Sequence, residues 1–438
     1  MEKADVLIIG AGATGLMAAR TLAKAGKQVI VLEARERCGG RIHTLHHESF
    51  FKQAELGAEF IHGDLPVTLG LLNEAGITYQ PSDGEMWRYE HGQFKTDGGA
   101  TPGWDLLLER LGELKQDCSI NDFLQREFPG DEHADLRKAV IRFASGYDTA
   151  NPDDASAFAL RNEWQHEDDG AQHRLEKGYG TMINYLADEC KAAGGAIYFN
   201  SVVTAIYHGQ GQVQAVTTDG TINYASQLII ALPLGVLKAD KDEPGAITFH
   251  PPIPEQEEAV QAMGFGAIIK ILLEFNEPFW RDKHIEEMIG ESTDQMGFIL
   301  SDEEIPTWWT QSPQNSPVLT GWLGGPPAAK KKDATEEELL QLSLRSLGNI
   351  FKLEPKVLKD KLVAFNCVNW TADPYTRGSY AYDTVASPAS RKLLNKPVDN
   401  SLFFAGEYLY EGTAMGTVEA ALTSGAEAAE KLIQIAKD

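Results

Sequence analysis

Cysteine is scarce. Four residues in 438, Cys38, Cys118, Cys190 and Cys367, lie far apart with no CxxC pair. That spacing offers neither a disulfide framework nor a thiolate metal site, and it suits a reducing compartment. Long apolar runs are missing too. No stretch approaches the roughly 18 to 20 apolar residues that span a bilayer. The opening run, MEKADVLIIGAG, is too short for a signal-peptide core and leads straight into glycines. The expectation is a cytoplasmic protein with no membrane partner. Positive charge is under-represented: 39 Lys plus Arg against 64 Asp plus Glu leave a formal net charge of −25. Such a surface repels phosphate backbones, which argues against nucleic acid as a partner, and it weakly attracts cationic small molecules. Hydrophobic residues at 43% and charged residues at 24% exclude whole-chain disorder. The length is that of two or three domains at roughly 150 residues each.

Residues 5–9 form an apolar, β-branched run read as a buried parallel strand. Gly10, Gly12 and Gly15 follow at GxGxxG spacing around Ala13 and Thr14, and residues 16–25 read as a helix ending at Gly26. A second apolar run, 28–32, ends in Glu33 and Ala34. Strand, glycine turn, helix, strand and acid within about 30 residues are the context of a dinucleotide site. Glycines let the backbone approach a pyrophosphate at the positive end of the helix, and Glu33 lies where a carboxylate accepts from ribose hydroxyls. Arg35, Arg37, Gly39, Gly40 and Arg41 come next. A second glycine loop so close to the acid meets the same pyrophosphate, with Arg41 adding a charge-assisted bond, and this favours FAD over NAD.

Beyond the loop, residues 83–193 turn polar and helical, with 104–114 and 134–143 periodic enough to predict helices, and 166–169 read as an acidic loop. Residues 196–199, 202–207, 213–218 and 227–231 alternate as strands, as does 264–275; 335–351 is an amphipathic helix, 401–405 a last strand and 417–438 a closing helix. No Ser-His-Asp or paired-carboxylate signature is present.

With these motifs in view, the chain resembles the flavin amine oxidases, which include monoamine oxidases, polyamine oxidases and flavin histone demethylases. The resemblance rests on the GxGxxG–GGR fingerprint and on the run from Glu55 to Gly63, ELGAEFIHG. It continues in the run from Ala231 to Leu237, in Trp370 with Asp373-Pro374 and Gly378-Ser379-Tyr380, in Phe404-Ala405-Gly406-Glu407, and in the run from Gly416 to Ala421. It implies an α/β protein in which a Rossmann-like FAD-binding domain (1–82, 196–246, 385–438) is interleaved with an α+β substrate-binding domain (83–195, 247–384). It also implies further FAD contacts at Gly57, Ala58, Glu59 (through its backbone), Val203, Trp370, Gly406, Glu407, Thr417 and Val418.

Strand alternation alone places Lys270 on one face with Ile268, Leu272 and Glu274, as a half-exposed strand would. The resemblance instead makes Lys270 the active-site lysine, holding a water at the flavin N5 and assisting reaction with oxygen. Tyr380 matches one of two aromatics that flank the amine, and Thr417 stands where monoamine oxidases carry the second. That departure opens the cage, as in polyamine oxidases. Ser379 replaces the cysteine that bonds the flavin in monoamine oxidases, which implies noncovalent FAD. His62 resembles a cavity histidine able to accept a proton or bond an amine near neutral pH. Glu163 and the acids near Asp168 are read as solvated loop acids rather than anchors for a distal ammonium. His43, His46 and His47 have no second cluster of convergent ligands, so no metal is expected. The implied reaction is oxidative deamination of a small-molecule amine: hydride-equivalent passes from the α carbon to flavin N5, the imine hydrolyses to an aldehyde, and O2 is reduced to H2O2. Thr417, His62 and the net charge lean toward di- or polyamines. A monoamine oxidase, an L-amino acid oxidase, or a noncatalytic flavoprotein module binding a basic partner stand as alternatives.

Overall fold

A computed structural model describes residues 4–82, 84–95, 101–166, 172–209 and 211–435. Strands far apart in sequence meet in one eight-stranded sheet. Ala4–Ile9 pairs in parallel with Val29–Leu32 on one side and Ile222–Ile230 on the other. Ala196–Tyr198 and Leu402–Phe404 extend this parallel core, and Gln212–Thr217, Val203–Gly209 and Thr248–His250 complete the sheet. Beyond the exposed Asp5, Val6 to Ile9 are apolar at successive positions because both faces of the strand are covered there. Val6 and Ile8 pack under Ala13–Lys24, Gly180–Ala192 and Val418–Ile435, while Leu7 and Ile9 pack with Phe249, Val260 and Tyr408. The helix Gly180–Ala192, placed by the sequence division with the substrate side, thus lies on the nucleotide sheet, and Thr248–His250 belongs to that sheet as well.

A second, seven-stranded sheet runs Leu362–Asn369, Ile268–Phe275, Val318–Gly324, Thr307–Trp309, Met296–Ser301, Glu85–Glu90 and Gln93–Lys95. Ile269, Ile271, Leu273 and Phe275 meet the helix Glu336–Phe351 on one face. That helix begins where the sequence signals it, with Thr335 and Glu338 forming a reciprocal capping box. On the other face, Leu272 packs against Phe51, Ala54 and Leu56. Four helices, Trp104–Glu113, Ile120–Glu127, Ala134–Gly146 and Ala157–His166, form an insertion with its own core around Phe123, Val140 and Trp164. A small sheet of Ile61–His62, Gln172–Leu175 and Tyr79–Pro81 completes the surroundings of the site. No helix among the described residues is long and apolar enough to cross a membrane.

Candidate active site

The nucleotide end follows from local geometry. The helix Ala13–Lys24 starts from Gly12 without a capping side chain, so its first-turn N–H groups keep their donor capacity. Gly15 lets the helix begin that close to the strand: a Cβ there would sit 1.9 Å from the Gly10 carbonyl oxygen. Glu33 ends its strand with both oxygens engaged, accepting from Ala11 N at 2.7 Å and Arg35 N at 2.9 Å. The second glycine loop lies directly on the first, since Gly39 N donates to Ala11 O at 2.8 Å and Gly12 bridges Gly39. Arg41 is not a bare cation. It pairs with the buried Glu407 at 2.8 Å and donates to the Ser379 carbonyl. Arg35 is likewise held, by Asp373 and Thr376, between the rings of Trp370 and Tyr375.

One cavity of about 1450 Å³ joins this loop to the second sheet. It exceeds the roughly 300–1,000 Å³ usual for small-molecule pockets, as a site for a dinucleotide and a substrate together must. With one exception, every residue expected to touch the cofactor lines it, from Gly10, Gly12, Ala13, Thr14, Glu33, Ala34, Arg35, Gly40 and Arg41 to Gly57, Ala58, Glu59, Val203, Trp370, Gly406, Glu407, Thr417 and Val418. The exception is Gly15, whose part is the helix–strand approach. An uncapped helix N-terminus, a ribose-height carboxylate and a cavity of this size fit FAD.

Lys270 also lines the cavity, and the half-exposed strand does not hold: the residue is 1% exposed. What alternation missed is the cover on that face, supplied by residues 51–59. The ammonium donates to Gly57 O at 3.0 Å and Glu59 Oε2 at 2.6 Å, and lies 5.4 Å from the Trp309 ring centre. Glu59, expected to serve the cofactor through its backbone, also has both side-chain oxygens engaged. Its Oε1 accepts from Trp309 Nε1 at 3.0 Å and meets Arg174 at 2.9 Å. Burial pushes this carboxyl up, yet the charges of Lys270 and Arg174 outweigh it and hold it below the usual range. Arg174 and Trp309 were invisible to sequence reasoning, an isolated arginine in a four-residue strand and one tryptophan of an aromatic pair.

Tyr380 lines the cavity too, its ring packed on Gly416, where a Cβ would come within 2.8 Å. Its hydroxyl donates to the Tyr147 carbonyl. Trp322 Nε1 donates to Gly146 O at 2.7 Å, so the end of the helix Ala134–Gly146 is tied to the second sheet through Trp322 and to Tyr380 through the Tyr147 carbonyl, and Gly146 and Tyr147 line the cavity. Burial, and then the charges of Asp148 and Glu163, push the Tyr380 hydroxyl well above its ordinary pKa. Glu163 is therefore no loop residue: it sits in the helix Ala157–His166 and lines the cavity, while Asp168 lies outside the described residues. His62 lines the cavity edge-on to Tyr147, and burial lowers it to about 4, which favours the neutral ring, with one donor and one acceptor nitrogen, near pH 7. Thr417 Oγ1 donates to Ala414 O at 2.6 Å at the head of Val418–Ile435. Ser379 bonds the Thr149 hydroxyl, and no cysteine is among the lining residues. Among the described residues, no three His, Cys, Asp or Glu side chains gather as a metal site.

The profile of flavin containing amine oxidoreductases matches residues 13–433. The chain belongs to that family. Polyamine oxidase 2 of Arabidopsis thaliana is 30% identical over 97% of this chain and 87% of its own length. Polyamine oxidase 3 of Oryza sativa subsp. japonica is 30% identical over 98% and 88%. Human lysine-specific histone demethylase 2 is 27% identical over 98% of this chain but 53% of its own length. Among solved structures, putrescine oxidase bound to putrescine superposes with a TM-score of 0.80 at 21% identity, covering 99% of both chains, which shows the shared fold. The protein is thus an amine oxidoreductase with FAD as its cofactor, built on a Rossmann-type sheet joined to a mixed second sheet.

Proposed function

We propose that the chain oxidises di- or polyamines, with noncovalent FAD and molecular oxygen as acceptor, in two interleaved domains. The nucleotide domain would take in the eight-stranded sheet with Gly180–Ala192 and Thr248–His250, and the remainder would form the substrate domain. The observation that carries the reading is the meeting of Lys270 with the glycine loops in one cavity. Ala13, Thr14 and Arg41 would hold the pyrophosphate, Glu33 the ribose, and Gly57, Ala58, Trp370 and Val418 the remainder of the cofactor. When bound, FAD supplies the two-electron oxidising chemistry, yielding an imine that water converts to an aldehyde and leaving H2O2 as the product of oxygen.

The side chains orient and exclude. Tyr380 presents a π face to an amine nitrogen, and Thr417 in place of a second ring leaves room for a longer chain. Asp148 and Glu163, both in the lining near Tyr380, favour a second ammonium on the substrate. The named activity of the polyamine oxidase relatives supports this choice. Arg88 and Arg142 also line the cavity, which favours a carboxylate-bearing amine as the second reading, although Arg142 pairs with Glu90 and Arg88 bonds Thr101. The test is H2O2 release in air from a panel of putrescine, spermidine, benzylamine and an L-amino acid. Turnover of the first two is expected. Turnover of benzylamine or the amino acid alone overturns the substrate assignment.

A further inference from the structure

Lys270 does not act alone on the cavity. Glu59 is shared: Oε2 lies 2.6 Å from the Lys270 ammonium and Oε1 lies 2.9 Å from Arg174, and all three residues are more than nine-tenths buried. Two cations and one carboxylate leave one net positive charge in a poorly screened place. Arg174 is not among the cavity-lining residues. It is fixed from behind by Gln311 Oε1 and Thr310 O, each at 3.0 Å, and lies 4.4 Å from the ring centre of Phe60, which does line the cavity. The nearby carboxyl of Glu55 bonds Thr44 and Tyr179 N, and burial raises it to about 7, which favours its neutral form at pH 6 and weakens its opposition to that charge.

We propose that Arg174 is a positioning residue that competes with Lys270 for Glu59, keeps the Lys270 charge expressed at the cavity wall, and so raises the reduction potential of the bound flavin. Without Arg174, Glu59 and Lys270 form a self-cancelling pair whose field falls off steeply; with it, a full unit charge remains. A positive charge beside a flavin favours its electron-rich reduced form. The inference rests on the reading that FAD occupies the cavity beside Lys270.

The experiment compares flavin reduction potential at pH 6, by equilibration with a reference dye, in the wild type, Arg174→Met and Arg174→Lys. At a fixed dye poise the reduced-to-oxidised ratio falls about tenfold in Arg174→Met, the order expected for one unit charge inside a protein. In Arg174→Lys it stays within about twofold of wild type, because the charge is kept. Arg174→Gln makes the same comparison if Arg174→Met does not fold. An unchanged ratio in the neutral variant overturns the proposal, and so does an equal fall in Arg174→Lys, which would point to packing rather than charge. Wild-type protein whose flavin is absent or unreduced by any amine is a failure of the functional reading, visible before any variant is made.

Discussion

The two ends of the cavity are made by opposite means. At the nucleotide end, Gly10, Gly12, Gly15, Glu33 and Gly39 sit within residues 10–39, and backbone contacts of that stretch shape the loops, with only the arginine side chains of Arg35 and Arg41 held by distant acids, Asp373 and Glu407. At the ammonium end, Glu59 meets Lys270 across 211 positions and Trp309 across 250, and Arg174 reaches Gln311 across 137. The first is a local conformation and tolerates what its backbone tolerates. The second is a charge balance between distant segments, so removing one member leaves the others uncompensated in a buried place.

The comparison breaks most sharply at Glu59. Glu59→Ala strands two buried cations, and flavin-free protein should lose about 3–5 kcal/mol in chemical denaturation. Lys270→Met leaves Glu59 paired with Arg174 and should cost less, about 1–3 kcal/mol. Equal losses would show that Arg174 does not compensate. At the nucleotide end, Gly15→Ala forces a methyl onto the Gly10 carbonyl. An overpacking cost of about 1–3 kcal/mol translates into roughly 5- to 150-fold weaker flavin binding by titration. Unaltered binding would mean that the helix can shift away from the strand without loss.

How much was legible in advance follows the same division. The glycine fingerprint, its acid and the second glycine loop are short-range signals whose meaning depends only on neighbours, and they located one end of the cavity residue by residue. Alternation correctly grouped Lys270 with Leu272 and Glu274. It could not reveal that this face is covered by Phe51, Ala54 and Leu56, because that cover comes from a segment more than two hundred positions earlier. Glu274 is drawn into the same contact, accepting from Phe51 N. The resemblance supplied Lys270, but the side-chain role of Glu59 and the presence of Arg174 are products of packing with no local pattern. Glu163 misled for the complementary reason: an acid beside a polar stretch looks solvated until helix Ala157–His166 turns it toward the cavity.

A milder effect concerns acid. The His62 imidazole titrates at about 4 in the folded protein against 6.5 for an unperturbed histidine, so between those values the unfolded chain binds the extra proton. Stability is therefore lost as pH falls from about 6.5 toward 4. His43, also lowered to about 4 by burial, contributes in the same direction. His62→Gln should flatten part of the melting-temperature decline over that range, and an identical decline would contradict the burial assigned to the ring. The smallest expected change lies away from both ends. Thr335→Ala removes the capping-box hydroxyl of Glu336–Phe351 and should cost about 1 kcal/mol in thermal or chemical unfolding, with flavin content unchanged. A loss of flavin there would show that the second sheet is more tightly coupled to the nucleotide end than its packing indicates.

The most direct measurement is the visible spectrum of the purified protein, taken without oxygen before and after addition of putrescine. The account predicts one flavin per chain, freed into solution by denaturation and bleached by the diamine. A colourless protein, or a flavin that neither diamines nor polyamines bleach, would contradict it.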